Sequence, residues 1–402
     1  MTHMQQRIEG LKVLFPVKYS LEQFQNIKTK RPFDDLVCEF LTELSAALRK
    51  DDEAKTYPDV IAFSFFCRKA NIEKMKLNYL KEDRLGRGIS FHIAPSNVPI
   101  NFAYSMAAGL LAGNACVIRV SSKDFEQTHI ICRIMEELIH DSYEAIKNYI
   151  LVVQYDHNNA ITEYFSAMAN IRVVWGGDAT VEMVRNLQTT PRCVDVMFAD
   201  RYSLCVLDSE YVKNITNWEA VAQKFYNDTY LYDQNACSSP RLLYWYGDKE
   251  TTEQAKELFW SNIIKYITPK YELKPLLVVD KLIMDCRSAI ELESIRIEKR
   301  DNNLVDRIEL TELTPEIVKY TCPGGSYFEY RGEKLEDLEP LVSEKVQTLS
   351  YLGMDVEVIR KWIFSSGIRG IDRIVPMGNT ADFSLSWDGY DLIDIMTRKI
   401  QF

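Results

Sequence analysis

A cysteine in a polar turn ahead of an apolar strand is a candidate nucleophile, and Cys237 stands in one. Asp233-Gln234-Asn235-Ala236-Cys237-Ser238-Ser239-Pro240 runs directly into the strand pattern RLLYWY. A thiol there can face a cleft and, as the thiolate, attack a carbonyl carbon; the competing reading is a half-buried structural thiol. The other cysteines, at 38, 67, 116, 132, 193, 205, 286 and 322, form no CxxC, and the five histidines form no HxxxH pair, so no metal centre is expected. Cys116, Cys132 and Cys205 fall inside strand or helix patterns and read as small apolar core residues. Carbonyl chemistry also needs a fixed dipole for the developing oxyanion. Asn97, in Ala94-Pro95-Ser96-Asn97-Val98-Pro99, is held between two prolines at a strand end. Asn is equally a good helix N-cap, and the local residues leave both readings open.

The elements that must position these residues alternate. GISFHIA, ACVIRV, YILVVQY, IRVVW and SLCVLD are short apolar, β-branched runs with helical patterns between them. A recurrence of roughly 30 residues indicates a doubly wound parallel sheet, hence an α/β fold. Before them, Leu36, Phe40, Leu41, Leu44 and Leu48 repeat at helical spacing, so residues 1–84 read as a mostly helical region. The expected organisation is this N-terminal region packing on an α/β domain over 85–208, a second α/β domain over 209–378, and a tail over 379–402 returning to the body.

Composition narrows the function classes. The 402 residues carry a net charge of −10 with a pI near 5.3, which argues against a sequence-independent grip on nucleic acid or an anionic membrane. Gly88 to Ile118 contains no Asp, Glu, Lys or Arg, but Pro95, Asn97, Pro99, Asn101 and Asn114 interrupt it, so a strand, turn and buried helix are expected rather than a membrane span. The odd cysteine count without close pairs suggests a reducing, cytoplasmic setting, and the first residues have no apolar run of signal-peptide length. His92, on a strand pattern, reads as a structural hydrogen-bonding residue; His129, His140 and His157 fall on polar positions.

The Asn97 and Cys237 motifs, in this order, resemble the aldehyde dehydrogenase superfamily and, more closely, the LuxC-like fatty acyl-CoA reductases. HIAPSNVPINFAYSMAAGLLAGNACVIRVSS, VVWGGDATV, DQNACSSPR and GIDRIVPMGNTADFSLSWDGYDLIDIMTR carry the resemblance. It implies an aldehyde-dehydrogenase-like fold in which 85–208 is the NAD(P)-binding domain and 209–378 the catalytic domain, with Cys237 as nucleophile and Asn97 as oxyanion donor. It places Arg119 at the cofactor's adenosine ribose. Where NAD-preferring members carry an acid three positions later, this chain has Ser122, then Lys123. Arg119, Ser121, Ser122 and Lys123 therefore suit a 2′-phosphate, and NADPH is the expected cofactor. The phosphate-contacting segment reads Trp175-Gly176-Gly177-Asp178, in which Gly176 and Gly177 allow close backbone approach and Asp178 is expected as the helix N-cap. The hydrolytic Glu of the superfamily aligns near Phe198, a residue with no acid, which favours reduction of an acyl-enzyme over hydrolysis. The resulting expectation is NADPH-dependent reduction of an acyl-CoA or other acyl thioester to an aldehyde. It leaves room for an acyl-donor protein partner and a homo-oligomer. Its alternatives are an oxidising aldehyde dehydrogenase using a base such as Asp200, and a non-catalytic acyl-transfer subunit.

Overall fold

The computed structural model describes residues 9–79, 83–156, 158–293, 295–297 and 302–402. The chain divides into two compact units, one running to Ala199 and including Phe383–Phe402, the other Asp200–Asp382.

In the first unit the strands are β1 (Lys12–Phe15), β2 (Arg84–Gly86), β3 (Ile89–Ile93), β4 (Ala115–Val120), β5 (Ile150–Gln154), β6 (Ile171–Trp175) and β7 (Val194–Phe198). All but β2 form a six-stranded sheet in the order β1-β5-β4-β3-β6-β7, parallel from β5 to β7. The antiparallel edge strand β1 is a departure from the mostly helical N-terminal region expected from the sequence. Its KVLF run pairs with β5 from Lys12↔Gln154 onward, and four residues are too few to show a period.

Alternate side chains of these strands go to opposite faces, as the strand geometry dictates. Ile118, Val120, Val152, Val173 and Trp175 pack with helices Asp35–Lys50, Pro58–Phe66, Asn101–Leu111 and Glu126–Asp141. Phe91, Val117, Leu151, Val153 and Val174 pack with helices Asn159–Met168 and Asp178–Arg185. Burial on both faces explains why the strands read as continuous apolar runs rather than alternating ones. The charge-free Gly88–Ile118 segment is β3, the turn bearing Asn97, a helix with ten buried residues, and most of β4. Among the described residues no helix is long and apolar enough to cross a membrane.

The second unit contains β8 (Tyr202–Asp208), β9 (Pro240–Tyr246), β10 (Ile295–Ile297), β11 (Asp306–Leu310), β12 (Ser326–Gly332), β13 (Val346–Leu352) and β14 (Arg373–Pro376). Their order is β10-β11-β12-β9-β8-β13-β14, with only the β10–β11 pair antiparallel. The sequence pattern places SLCVLD in the first domain. It is instead β8, whose backbone is paired on both sides by β9 and β13, and the unit edge falls at Ala199/Asp200. Beyond it, β15 (Ser386–Trp387), β16 (Tyr390–Asp391) and β17 (Thr397–Lys399) belong to the first unit, where β17 pairs with β2.

Helix Trp218–Thr229 of the second unit carries a buried acid at its end. Asp228 accepts hydrogen bonds from the backbone N–H groups of Gly378 and Thr380 at 2.7 and 3.0 Å and from the Thr380 hydroxyl at 3.0 Å. Burial nevertheless raises its carboxyl from the ordinary 3.8 to about 6. The folded chain thus keeps this proton to higher pH than the unfolded chain. Its effect on stability is therefore most favourable below about pH 4, declines through about pH 6, and is level above that. A rise of about two in pKa corresponds to about 3 kcal/mol. Urea unfolding from pH 4 to pH 7 should show wild type losing up to about 3 kcal/mol relative to Asp228→Asn. Parallel pH curves for the two proteins would mean that Asp228 titrates as an ordinary carboxylate.

Candidate active site

Cys237 lies in the second unit, on the turn that enters β9 at the amino-terminal edge of its sheet. Helix Trp218–Thr229 and a 3-10 turn end at Asp233, and both Asp233 and Gln234 have left-handed backbones, at φ 52° and 58°. Non-glycine residues adopt that conformation only where surrounding contacts fix it. Gln234 is fully buried and uses both ends of its carboxamide. Its Nε2 donates to Pro240 O and Ser326 O, each at 3.0 Å, and its Oε1 accepts from Gly325 N at 2.9 Å and Ser326 N at 3.0 Å. Asp233 accepts from Tyr271 Oη at 2.9 Å and Lys274 Nζ at 2.7 Å. From β8, the Ser203 hydroxyl donates to Cys237 O at 2.7 Å. Several neighbouring segments therefore hold the turn, at about 1 kcal/mol net per neutral hydrogen bond.

Beneath the turn is Arg241. Its guanidinium donates to Gln234 O at 2.5 Å and to Cys322 O at 2.6 Å. Burial works against its charge, while Tyr202, Cys322, Tyr327 and Cys237 bear on it in the opposite sense. Sequence reasoning missed Gln234, Arg241 and Ser203 as supports of the cysteine. Gln234 and Ser326 are 92 residues apart and Arg241 and Cys322 are 81 apart, so no local signal could have found them.

The remaining thiols are poor candidates for nucleophiles. Burial pushes Cys116, Cys132 and Cys205 up to about 12 and Cys38 and Cys322 up to about 11, and it raises Cys67 and Cys193 as well. Only Cys237 and Cys286 are exposed, and Cys286 sits within helix Pro275–Glu291. The described residues contain no group of His, Cys, Asp or Glu suited to a metal ion.

The first unit holds the other predicted residues at one edge of its sheet. From β3 the chain moves outward through β4 and β5 on one side and through β6 and β7 on the other, so strand order reverses between β3 and β6. In open α/β sheets a ligand crevice lies outside the carboxyl ends of the strands at such a reversal. Asn97 follows β3, Gly176 and Gly177 follow β6, and Arg119 to Lys123 end β4. Asn97 is exposed and is not the N-cap of the next helix. That helix is Asn101–Leu111, and its cap is Ile100.

Along the β4 end, Arg119 is half-buried, with Nη2 donating to Tyr155 O at 3.3 Å and its guanidinium 5.4 Å from the Tyr155 ring centroid. Ser121 is turned into the loop, where its buried hydroxyl accepts from Lys123 N at 3.1 Å. Ser122 and Lys123 are exposed, and Lys123 Nζ reaches Ser96 O at 3.4 Å, tying this loop to the Asn97 turn. At the β6 end Gly177, not Asp178, is the N-cap of helix Asp178–Arg185. The extended backbone of Gly177 lets its carbonyl accept from Thr180 N and Val181 N at 2.9 and 3.0 Å, which places Asp178 in the first turn.

Phe198, near which the resemblance sets the superfamily's hydrolytic base, is buried and stacks on Trp175 with ring centroids 3.7 Å apart and planes at 16°. Tyr390 of the tail meets Phe198 edge-on at 5.7 Å, and Phe383 packs against Trp175 and Trp387. His92 is fully buried between Ser105 Oγ at 2.6 Å and Ser90 Oγ at 2.8 Å, and burial pushes its pKa down to about 3, so it stays neutral. His129 pairs with Asp124 at 2.5 Å and His140 with Glu136 at 3.5 Å; His157 lies outside the described residues.

The sequence profile of the acyl-CoA reductase (LuxC) family matches residues 12–277, well over half of the chain. A long-chain acyl-protein thioester reductase of Vibrio harveyi is 25% identical over 321 residues, which cover 79% of this chain and 64% of that protein. The chain spans less than two thirds of the length of such curated relatives. In fold it is similar to the methylmalonate-semialdehyde dehydrogenase of Oceanimonas doudoroffii, with a TM-score of 0.67 at 11% identity over 95% of this chain and 87% of that one. It is also similar to PnpE, solved in complex with nicotinamide adenine dinucleotide, with a TM-score of 0.64 at 14% identity over 90% and 83%. The architecture is thus that of the aldehyde dehydrogenases, and the profile match across both units identifies the chain as a member of the LuxC family of acyl-CoA reductases.

Proposed function

We propose that the protein reduces an acyl thioester, an acyl-CoA or an acyl group on another thiol carrier, to an aldehyde with NADPH, through an acyl-enzyme on Cys237. The observation that carries this reading is the exposed cysteine on a fixed turn whose carbonyl at Gln234 is held by the half-buried Arg241 guanidinium. A cation beside a thiol favours the thiolate, which is the form that attacks. The Cys237 sulfur forms a bond to the thioester carbon, and the carbonyl electrons move onto oxygen. Asn97 and the Cys237 backbone N–H are the proposed donors to that oxygen. Collapse of the adduct breaks the original C–S bond, and the carrier leaves as a thiolate that takes up a proton. The names of the relatives, acyl-protein thioester reductases, support the substrate class.

The donor set at the first sheet's carboxyl edge fits a dinucleotide carrying a 2′-phosphate. Ser122 and Lys123 are exposed there, Arg119 stands behind them, and the backbone opens at Gly176 and Gly177. NADPH, when bound, supplies the hydride that takes the acyl-enzyme to the aldehyde oxidation level. A buried aromatic stack at Phe198 in place of a carboxylate leaves water without a base there, which favours hydride over hydrolysis as the fate of the acyl-enzyme. The direct test is acyl-CoA-dependent oxidation of NADPH with the aldehyde trapped as a hydrazone. Free fatty acid in place of aldehyde would overturn the reading.

Cofactor choice gives a second expected result. Ser122→Glu places a carboxylate beside the ribose and should weaken NADPH by about 1–3 kcal/mol while sparing NADH. The kcat/KM ratio for the two cofactors should shift accordingly. An unchanged ratio would remove residues 119–123 from the cofactor site.

A further inference from the structure

The opposite end of the first unit's sheet carries a cavity of its own. A cavity of about 440 Å³ opens where β3 begins and just ahead of β6. A five-residue strand spans about 15 Å, so this cavity and the carboxyl-edge crevice are separate places. Arg87 lines it, and the Arg87 position is built. Its backbone N–H and that of Gly88 both donate to Asn114 Oδ1, at 2.7 and 3.1 Å, and its Nε donates to Ile395 O at 2.9 Å. The two terminal guanidinium nitrogens make no hydrogen bond or ion pair among the described residues.

Asn170 lines the same cavity and has one orientation. Its Oδ1 accepts from Ile89 N at 2.9 Å, so its Nδ2 turns away from the strand, and that donor has no partner among the described residues. Gly88, at φ 139°, makes this possible, because a Cβ there would overlap the Asn170 carboxamide. The Thr29 hydroxyl, also on the wall, is likewise without a partner among the described residues. Arg87, Asn170 and Thr29, each with a donor unspent among the described residues, thus line one cavity. Ile27, Ile89 and Met168 supply an apolar wall beside them.

The surrounding charge is mostly positive. Burial and the like charges of Arg192, Arg398 and Arg84 work against the charge on Arg87, while Asp394, which is paired with Arg84, works in its favour. Clustered cations at a half-buried site cost free energy unless an anion joins them. In a chain of net charge −10 such a cluster is not a by-product of composition. An ionised group accepting from Arg and neutral donors together is the strong, geometrically selective case of hydrogen bonding.

We infer that this cavity binds the phosphate group of a small organic phosphate, held by Arg87, Asn170 and Thr29, with its organic part against Ile27, Ile89 and Met168. The ligand is a phosphoester rather than a bare phosphate because the apolar wall and the cavity volume exceed what a phosphate ion fills. The site is separate from the reaction proposed above and does not depend on it.

Calorimetric titration of the intact protein at low salt, with NADPH saturating, tests it using ribose 5-phosphate, inorganic phosphate and ribose. The ester should bind more tightly than inorganic phosphate, and ribose should not bind. Arg87→Gln should weaken the ester about 10- to 100-fold, the scale for a hydrogen bond to a charged group. Arg192→Gln/Arg398→Gln, at exposed positions, should weaken it about 3- to 10-fold and flatten its salt dependence. If Arg87→Gln fails to fold, the double variant decides. Absence of ester binding to the wild type, affinity no better than that of inorganic phosphate, or affinity unchanged in the folded variants would each overturn the inference.

Discussion

Cys237→Ser should abolish aldehyde formation, with turnover falling by at least about 10⁴-fold, because an alcohol is almost un-ionised where a thiol supplies thiolate. Acyl-CoA incubated without NADPH should leave a single acyl group on the wild-type chain and none on the variant. Intact-mass spectrometry gives the stoichiometry and peptide mapping the position. The structure sharpens the mapping, since burial keeps Cys38, Cys67, Cys116, Cys132, Cys193, Cys205 and Cys322 protonated, and exposure alone leaves Cys286 as the competitor. A label on Cys286 that persists in Cys237→Ser would sink the assignment. The fold should barely register the change, because Gln234, Asp233 and the Cys237 carbonyl hold the turn. An intact melting transition with no turnover therefore separates lost chemistry from lost structure.

How far the sequence carries these conclusions depends on the range of the interactions involved. The parallel sheets are legible because strands buried on both faces must be continuous apolar runs, and β3, β4, β5 and β6 fall where those runs stand. Helix Lys249–Ile267 is legible from its own period. The strand β1 is not, since four residues joining a sheet edge have no periodicity to read. The assignment of β8 to the second unit is not, because its partners β9 and β13 are a matter of pairing and SLCVLD looks like any other buried strand.

The site divides in the same way. Cys237 and Asn97 announce themselves by residue type in a turn, whereas their supports are non-local. Gln234 is an ordinary polar residue until Ser326 and Gly325 arrive beside it. Asp178 is the expected cap because Asp caps well, but the backbone hydrogen bonds of Thr180 and Val181 to Gly177 move the boundary one residue earlier. Ser121 shares its prediction with Ser122, and only burial separates a hydroxyl spent on the loop from an exposed one.

Asn97→Ala is the substitution on which the oxyanion assignment stands or falls. Removing one such donor costs about 10²–10³-fold in turnover, and NADPH affinity should hold, since the proposed partner of the amide is the reacting carbonyl. From sequence alone the same loss could have come from an uncapped helix. The structure removes that route, because the cap of helix Asn101–Leu111 is Ile100 and the turn before it is closed by Asn101 N–H to Val98 O at 3.1 Å. Asn97 is exposed, so the variant should unfold within about 0.5 kcal/mol of wild type. Asn97→Asp sharpens the comparison. It keeps the shape but sets a carboxylate against an oxygen that is gaining negative charge, so its turnover should fall below that of Asn97→Ala. A residue whose role was steric or structural would give the opposite order, with the isosteric Asp tolerated better than Ala. Parallel measurements of turnover, NADPH binding and unfolding on the two variants therefore distinguish a dipole aimed at the reaction from a side chain that only shapes the turn.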